Sequence, residues 1–557
     1  MTWGTEPGQE GIGRPDLPGI LSEGPLGISW RITWILLLAL ALRGLAMWRF
    51  DPVAFDSAVY FEMADLIRKG RWSEALAYDF PPLYPILIAV AQLLPVSAEY
   101  AGSAITLVFD LLVIFPIVGI ARAAFGERAA GGAAFLWAIH PMAVRLGVQA
   151  LTDAPTVFFV ALALWAGLRA LDQGRLIWAT GAGVSSGMAY LLRPEGIELA
   201  LALAALYAVH GRRSTHIDED SPKPPSALKA TSSPYRKKVS RRAVWAVAPL
   251  VGWAVIASPY IVHISAETGS ITLSKKKSTS SFVRAMVPAP RDAARSQAVT
   301  QPGGDPAPGV GRGSPLSGLR HMAKSAYEFQ KPLVNGIHPM VLFFGLLGAW
   351  TIRTQKARDP GRARMLLLGL LGLHFAVLVG LAASTGARYL GGHHFFLMVL
   401  YALPFAGAGL AWTLTWAAGR WRDLRWPLAV VLAALVAIPV GWLATRGVDR
   451  GVAVRPAAAW IRSQVVGTPV IVTNVAKLTY HAKAERVGLS GTYEEILDRS
   501  RTRSAHFIAF YPDLLPNVSP DFLSRLEGSD LALVQTFPEP SRRSPDQRLV
   551  IYRLRSP

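Results

Sequence analysis

No cysteine occurs in the 557 residues. Disulfides and thiolate metal sites are therefore excluded, while the compartment stays open, because many bacterial membrane proteins also lack the residue. Charge is scarce as well: 17% of residues are Asp, Glu, Lys or Arg, against 52% hydrophobic. That balance excludes a soluble multidomain protein of this length. Acids are the rarer sign, 37 against 57 bases, for a formal net charge of +20. In a soluble chain such an excess suggests nucleic acid. Here much of it lies between long apolar runs, where anionic lipid headgroups are the natural partner. The chain also has no internal repeat, and its C-terminal part has no glycine-rich phosphate loop, so a nucleotide pocket is not expected there.

What the chain has is apolar runs approaching the ~20 residues that cross a bilayer. They fall near 31–49, 103–124, 129–144, 154–171, 176–192, 196–209, 243–262, 338–353, 364–383, 393–415 and 426–444. The apolar stretch from Leu83 to Pro95 is shorter and bounded by prolines, which predicts an interfacial helix. Leaving it outside the membrane puts Arg122, Arg128, Arg169, Arg175 and the basic runs at 212–242, 353–364 and 420–425 on the cytoplasmic side, as the positive-inside rule requires. The expectation is about eleven spans in a bacterial inner-membrane protein, N terminus inside and C terminus outside. Residues 1–29 carry acids and many Gly and Pro, unlike a cleavable signal, so they are expected to form a cytoplasmic tail before a retained first span.

Within the expected membrane region, 30–450, three loops stand out: an external one at 50–102 with interfacial helices, a cytoplasmic one at 210–242 expected to be disordered, and an external one at 263–337. Residues 451–557 read as an extracytoplasmic α/β domain. Short apolar runs at 470–473, 507–510, 531–534 and 549–552 alternate with helix signals: Pro456 before Ala457, a capping box at Thr492 and Glu495, and Ser519-Pro520 opening a helix closed by Gly528.

Chemistry concentrates after the first span. Phe55-Asp56-Ser57-Ala58-Val59-Tyr60 is followed by Phe80-Pro81-Pro82-Leu83-Tyr84-Pro85, Leu151-Thr152-Asp153-Ala154-Pro155 and Leu192-Arg193-Pro194-Glu195-Gly196. In this order the motifs resemble the GT-C membrane glycosyltransferases, in particular the bacterial protein-mannosyltransferase-like and lipid A aminoarabinose-transferase-like branch, over most of residues 30–410. The resemblance implies an inverting transfer of a sugar from a polyprenyl-phosphate donor to a hydroxyl of a cell-envelope glycan, lipid or protein on the outer membrane face. A lipid-linked donor partitions into the bilayer, so the site belongs at the headgroup plane.

On that reading Asp56 is the general base. Many members of the group carry Asp-Glu where this chain has Asp56-Ser57, so a second acid has to come from elsewhere. Asp153 is read either as an acceptor ligand, or with Asp56 a divalent-ion ligand, or as a helix cap. Arg193 and Arg388 lie outside, against the charge rule, and offer a fork for donor phosphate; snorkelling, or pairing with Glu195, is the structural alternative. Lys275 and Lys277, His393 and His394 are further phosphate candidates, with a lipid-bound basic patch or wet interface residues as alternatives. Tyr60, Tyr84 and Trp72 are read as groove or aromatic-belt residues, and Glu195 as a sugar contact. Arg43 is expected to turn inward toward Asp51 or Asp56, and Glu62 and Asp65 to be solvated. Besides the polyprenyl-phosphate sugar no cofactor is certain. A flippase for a polyprenyl-linked lipid and a membrane-anchored binding protein are the competing classes.

Overall fold

The computed structural model describes residues 30–54, 56–210, 234–275, 330, 332–354, 361–385, 392–420 and 425–445, and in the C-terminal part 453–512, 515, 518–519, 521–526, 530–538 and 548–554. Phe55, Lys277, Arg388, Pro520 and Gly528 lie outside the described residues.

The first helix, α1 (Trp30–Arg49), is followed by three short ones: α2 (Ser57–Arg68), α3 (Trp72–Leu76) and α4 (Leu83–Ala91). At 1.5 Å per residue α4 is about 14 Å long, far short of the ~30 Å hydrocarbon core. The long apolar helix that follows is divided into α5 (Ala98–Leu112) and α6 (Ile114–Phe125). Pro116 has no N–H to offer the Leu112 carbonyl, which accounts for the break. Next come α7 (Glu127–Ile139), α8 (Pro141–Leu146), α9 (Asp153–Gln173), α10 (Leu176–Tyr190), α11 (Ile197–His210), α12 (Pro234–Thr268), α13 (Pro339–Thr354), α14 (Arg362–Thr385), α15 (Phe396–Arg420) and α16 (Arg425–Thr445).

Among the described residues six helices are long and apolar enough to cross a membrane: 31–49, 98–125, 153–173, 242–268, 362–382 and 392–419. Helices also occupy every other segment read as a span; α7, α10, α11 and α13 are shorter than 18 residues, whereas α16 runs for 21. One expectation is corrected. The polar loop read at 210–242 is helical from Pro234 onward, where proline at the first helical position lets α12 begin early.

The helices meet through small residues. A Cβ on Gly183 would lie 2.1 Å from the Pro249 carbonyl, and one on Gly348 would lie 1.9 Å from that of Phe405. The α10–α12 and α13–α15 backbones therefore touch as membrane helices do. On α12, Val244, Val247, Val251, Val255 and Val262 form an exposed apolar stripe, a lipid-facing surface.

Arg43 does not reach Asp51 or Asp56. It is wholly buried, and its Nε donates to Asp110 of α5 at 2.7 Å while its guanidinium also meets the Ala138 and Trp137 carbonyls. A charge in the bundle needs a buried partner, and Asp110 lies level with it whereas the outer loop does not.

The described part of the C-terminal unit begins with α17 (Val454–Gln464) and holds, among the described residues, five strands, β1 (Val470–Thr473), β2 (Glu485–Gly488), β3 (Phe507–Phe510), β4 (Leu531–Pro538) and β5 (Arg548–Leu554), in the order β2-β1-β3-β5-β4. β1 runs parallel to β2 and β3, and β5 antiparallel to β3 and β4. Between the strands, α18 (Ala476–Ala482) follows β1 and α19 (Tyr493–Thr502) carries the expected Thr492–Glu495 capping box. Of the helix expected after Ser519, a single 3-10 turn at Ser524–Leu526 is described.

This unit rests on the outer helices. Ala476 shares a buried cluster with Ala58, Val59 and Met63, and the Tyr480 ring lies 5.0 Å from Phe61. Glu62, expected to be solvated, instead lies 3.6 Å from Arg486 and accepts from Tyr78, whereas Asp65 is exposed and pairs with Lys69. At the end of α1, Asp51 meets Arg455 at 3.1 Å and Lys477 at 2.9 Å. Burial alone would raise the Asp51 carboxyl, but Arg455 and then Lys477 outweigh it and hold the pKa down to about 2.

Two outcomes follow. Asp110→Ala should cost about 3–5 kcal/mol in detergent unfolding because it strands a buried guanidinium, while Arg43→Met combined with Asp110→Leu should cost far less. The depressed Asp51 carboxyl contributes stability that is complete above its ordinary pKa near 4 and is lost as pH falls toward 2. Thermal unfolding of the wild type should therefore show an acid-sensitive component in that window which Asp51→Asn lacks.

Candidate functional site

Two remote segments are sewn together at the outer end of the bundle. The Ala150 N–H donates to the Pro52 carbonyl at 2.9 Å, the Ser57 hydroxyl donates to the Ala150 carbonyl at 2.8 Å, and the Ala54 N–H donates to the Ser57 Oγ at 2.8 Å. Ser57 is thus fully buried as a structural link. The result sets the loop carrying Asp56 against the turn that leads into Asp153.

Asp56 stands exposed at the N-cap of α2 and makes no side-chain capping bond there. Tyr60, one turn on, is buried against Phe80 at 5.1 Å and Tyr84 at 5.2 Å. Burial first, and then the charge of Asp56, push the Tyr60 phenol well above its ordinary pKa, so it is a neutral phenol in this neighbourhood.

Asp153 lies in the first turn of α9, while the N-cap is Thr152. Its carboxylate accepts from the Arg193 Nη1 at 2.7 Å, and both side chains are largely buried. Glu195 approaches the other guanidinium nitrogen at 3.8 Å. Burial would weaken the Arg193 charge, but Asp153 most strongly, then Glu195, Tyr60 and Asp56, keep it cationic with its pKa raised. Arg193 comes out of α10 in an extended conformation, just before Pro194, which disfavours helix at the preceding residue.

A narrow cleft opens beside this cluster. Asp153, Arg193 and Glu195 line it together with His393 and His394 of the 3-10 turn Gly392–Phe395. The two imidazoles lie 4.1 Å apart. Beneath them His374 of α14 bonds Glu198 of α11 at 2.8 Å through Nδ1, and its Nε2 lies 3.1 Å from the His394 carbonyl. Sequence reasoning passed over His374 and Glu198, although an ionisable residue inside an apolar span is a signal in its own right.

The structure therefore brings Asp56, Tyr60, Asp153, Arg193, Glu195, His393 and His394 into one neighbourhood. It does not bring Tyr84 or Lys275 to the cleft wall. Tyr84 is fully buried and its hydroxyl donates to the Gly102 carbonyl at 2.9 Å, so it is core behind Tyr60 and not a groove residue. Lys275 is almost buried, donates to the Leu76 carbonyl at 2.8 Å and pairs with Glu267, so it serves neither as a free phosphate ligand nor as a lipid-facing patch. Trp72 is half exposed on α3, suiting an interfacial belt. Asp56 and Asp153 do not form a ready cation site: Asp153 is committed to Arg193, and among the described residues no three His, Asp or Glu side chains are grouped to hold a metal.

Residues 79–223 match the family model described as dolichyl-phosphate-mannose-protein mannosyltransferase. The fold is shared with solved glycosyltransferase structures. ArnT from Cupriavidus metallidurans bound to undecaprenyl phosphate superposes with a TM-score of 0.50 at 15% identity, over 93% of this chain and 98% of that one. The archaeal oligosaccharyltransferase AglB from Archaeoglobus fulgidus, in complex with an inhibitory peptide and a dolichol-phosphate, gives 0.52 at 13% identity, over 86% of this chain and 69% of that one. No curated protein matches the sequence. The resemblance expected from the sequence thus extends to the fold over most of the chain.

A double-mutant cycle on Arg193→Gln and Asp153→Asn should give a coupling of about 1–3 kcal/mol in thermal unfolding. Strictly additive losses would mean that the ion pair carries no energy.

Proposed function

We propose that the chain is an inverting glycosyltransferase that moves a sugar from a polyprenyl-phosphate donor to a hydroxyl of a cell-envelope glycan, lipid or protein. The observation that supports the reading is an exposed carboxylate, Asp56 at the start of α2, whose charge acts on Tyr60 and on Arg193 of the cleft wall. The undecaprenyl phosphate of ArnT and the dolichol-phosphate of AglB support a donor of this class. The family model over 79–223 supports glycosyl transfer.

In this reaction the acceptor oxygen attacks the anomeric carbon from the face opposite the phosphate. A new C–O bond forms as the bond to the phosphate oxygen breaks, the phosphate leaves with the electron pair, and the acceptor proton passes to Asp56. Leaving-group charge is met by His393 and His394 of the cleft lining and by Arg193, with Arg388 a further candidate. Asp153 and Glu195 orient Arg193 and border the sugar; Tyr60 stays neutral. No step is assigned to a metal. The enzyme works on the outer face of a bacterial inner membrane, in a bundle of eleven spans with the N terminus inside and the C-terminal unit outside.

Incubation of purified protein with a labelled polyprenyl-phosphate sugar and envelope acceptors should release polyprenyl phosphate and yield a new glycoside. Asp56→Asn, inserted and folded, should slow transfer by about 10²- to 10⁴-fold. Undiminished transfer by that variant would falsify the assignment of the base, and lipid movement without glycoside formation would favour a flippase.

A further inference from the structure

The C-terminal sheet unit touches the loop that carries Asp56 more closely than a tethered accessory module would. Lys477, near the start of α18, is 2% exposed, and its Nζ reaches Asp51 at 2.9 Å. A lysine is rarely buried without a partner, and the one it has lies 426 residues earlier in the chain. Arg455 of α17 grips the same carboxylate, with Nε at 3.2 Å from Oδ2 and Nη2 at 3.1 Å from Oδ1, and also meets Glu99 at 3.3 Å. Asp51 in turn accepts from the Val53 N–H at 3.0 Å, which fixes the turn leading to Asp56. Downstream of Asp56, Ala476 packs with Ala58, Val59 and Met63, and Arg486 of β2 lies beside Glu62.

We infer that the C-terminal unit is a positioning element for the reaction: Lys477 and Arg455 hold Asp51 while α18 holds α2, and together they fix the segment between, on which Asp56 sits. None of these residues reaches the cleft. Their effect runs through the geometry of the base, where a displacement of about 1 Å can cost a hundredfold in rate. The inference rests on the proposed glycosyl transfer for its kinetic readout but not for its structural one.

The test compares Lys477→Met, Lys477→Arg and Arg455→Ala in the full-length protein. Lys477→Met should lower kcat tenfold or more while KM for the donor changes less than about twofold, and Lys477→Arg should recover most of the rate. Independently of activity, amide exchange over residues 57–62 should accelerate in Lys477→Met. Should Lys477→Met fail to insert, Arg455→Ala carries the same readouts, since Arg455 is half exposed and its truncation leaves no buried cavity. Unchanged kcat and unchanged exchange in the variants that fold would overturn the inference. If the wild type transfers no sugar, the enzymatic reading fails, yet the exchange data still decide whether the clamp orders α2.

Discussion

The outer end of this protein depends on a short set of hydrogen bonds between residues 51–57 and 149–150. Pro52 accepts from Ala150, Ser57 donates to the Ala150 carbonyl, and Ala54 donates to Ser57. An exposed loop between helices would otherwise leave its backbone groups to water and its conformation to chance. Tying the loop to the turn before α9 makes Asp56 and the Asp153–Arg193 pair parts of one rigid constellation, although 97 residues separate the two acids.

Below this seam the bundle solves a different problem. Arg43 and Asp110 sit within the helices at zero exposure, joined at 2.7 Å. His374 and Glu198 are joined at 2.8 Å, also under cover. Buried polar pairs of this kind add little net stability, because desolvation offsets attraction. They do penalise every packing in which the partners separate. The first pair sets α1 against α5; the second sets α11 against α14 and, through the His394 carbonyl, supports the turn that walls the cleft.

Much of this was legible in the sequence. Apolar runs of sufficient length place the helices, short apolar quartets place four of the five described strands, and Thr492 with Glu495 reads directly as a helix start. Asp56, Asp153, Arg193 and the two histidines are readable because each stands at a helix end beside proline, aromatic or glycine neighbours. What escaped was pairing and polarity. β2, Glu485-Arg486-Val487-Gly488, has a single buried apolar side chain and no run to reveal it. Arg43 has several acids near it in sequence, and only the bundle shows that Asp110 is level with it. Tyr84 reads as an interfacial aromatic but is core, since alternation cannot say which side of a nine-residue helix faces in. Nothing local to Lys477 tells of its partner Asp51.

The charge arrangement around Arg193 bears on how the proposed reaction can proceed. Three carboxylates, on Asp153, Glu195 and Asp56, act on one guanidinium, so an arriving phosphate meets an arginine already shared among acids. Asp153 holds it at 2.7 Å from within, whereas Asp56 acts from the exposed side. In the proposed step Asp56 takes the acceptor proton, so one negative charge is lost there as one develops on the departing phosphate. The total charge beside Arg193 would then be unchanged. Such a transfer needs little rearrangement of the surrounding dipoles, which is the circumstance in which a preorganised site stabilises a transition state more than its ground state. It also demands that Asp56 be held at a fixed distance from Arg193, and that is what the seam at Ala150 and the grip of the C-terminal unit on Asp51 together supply.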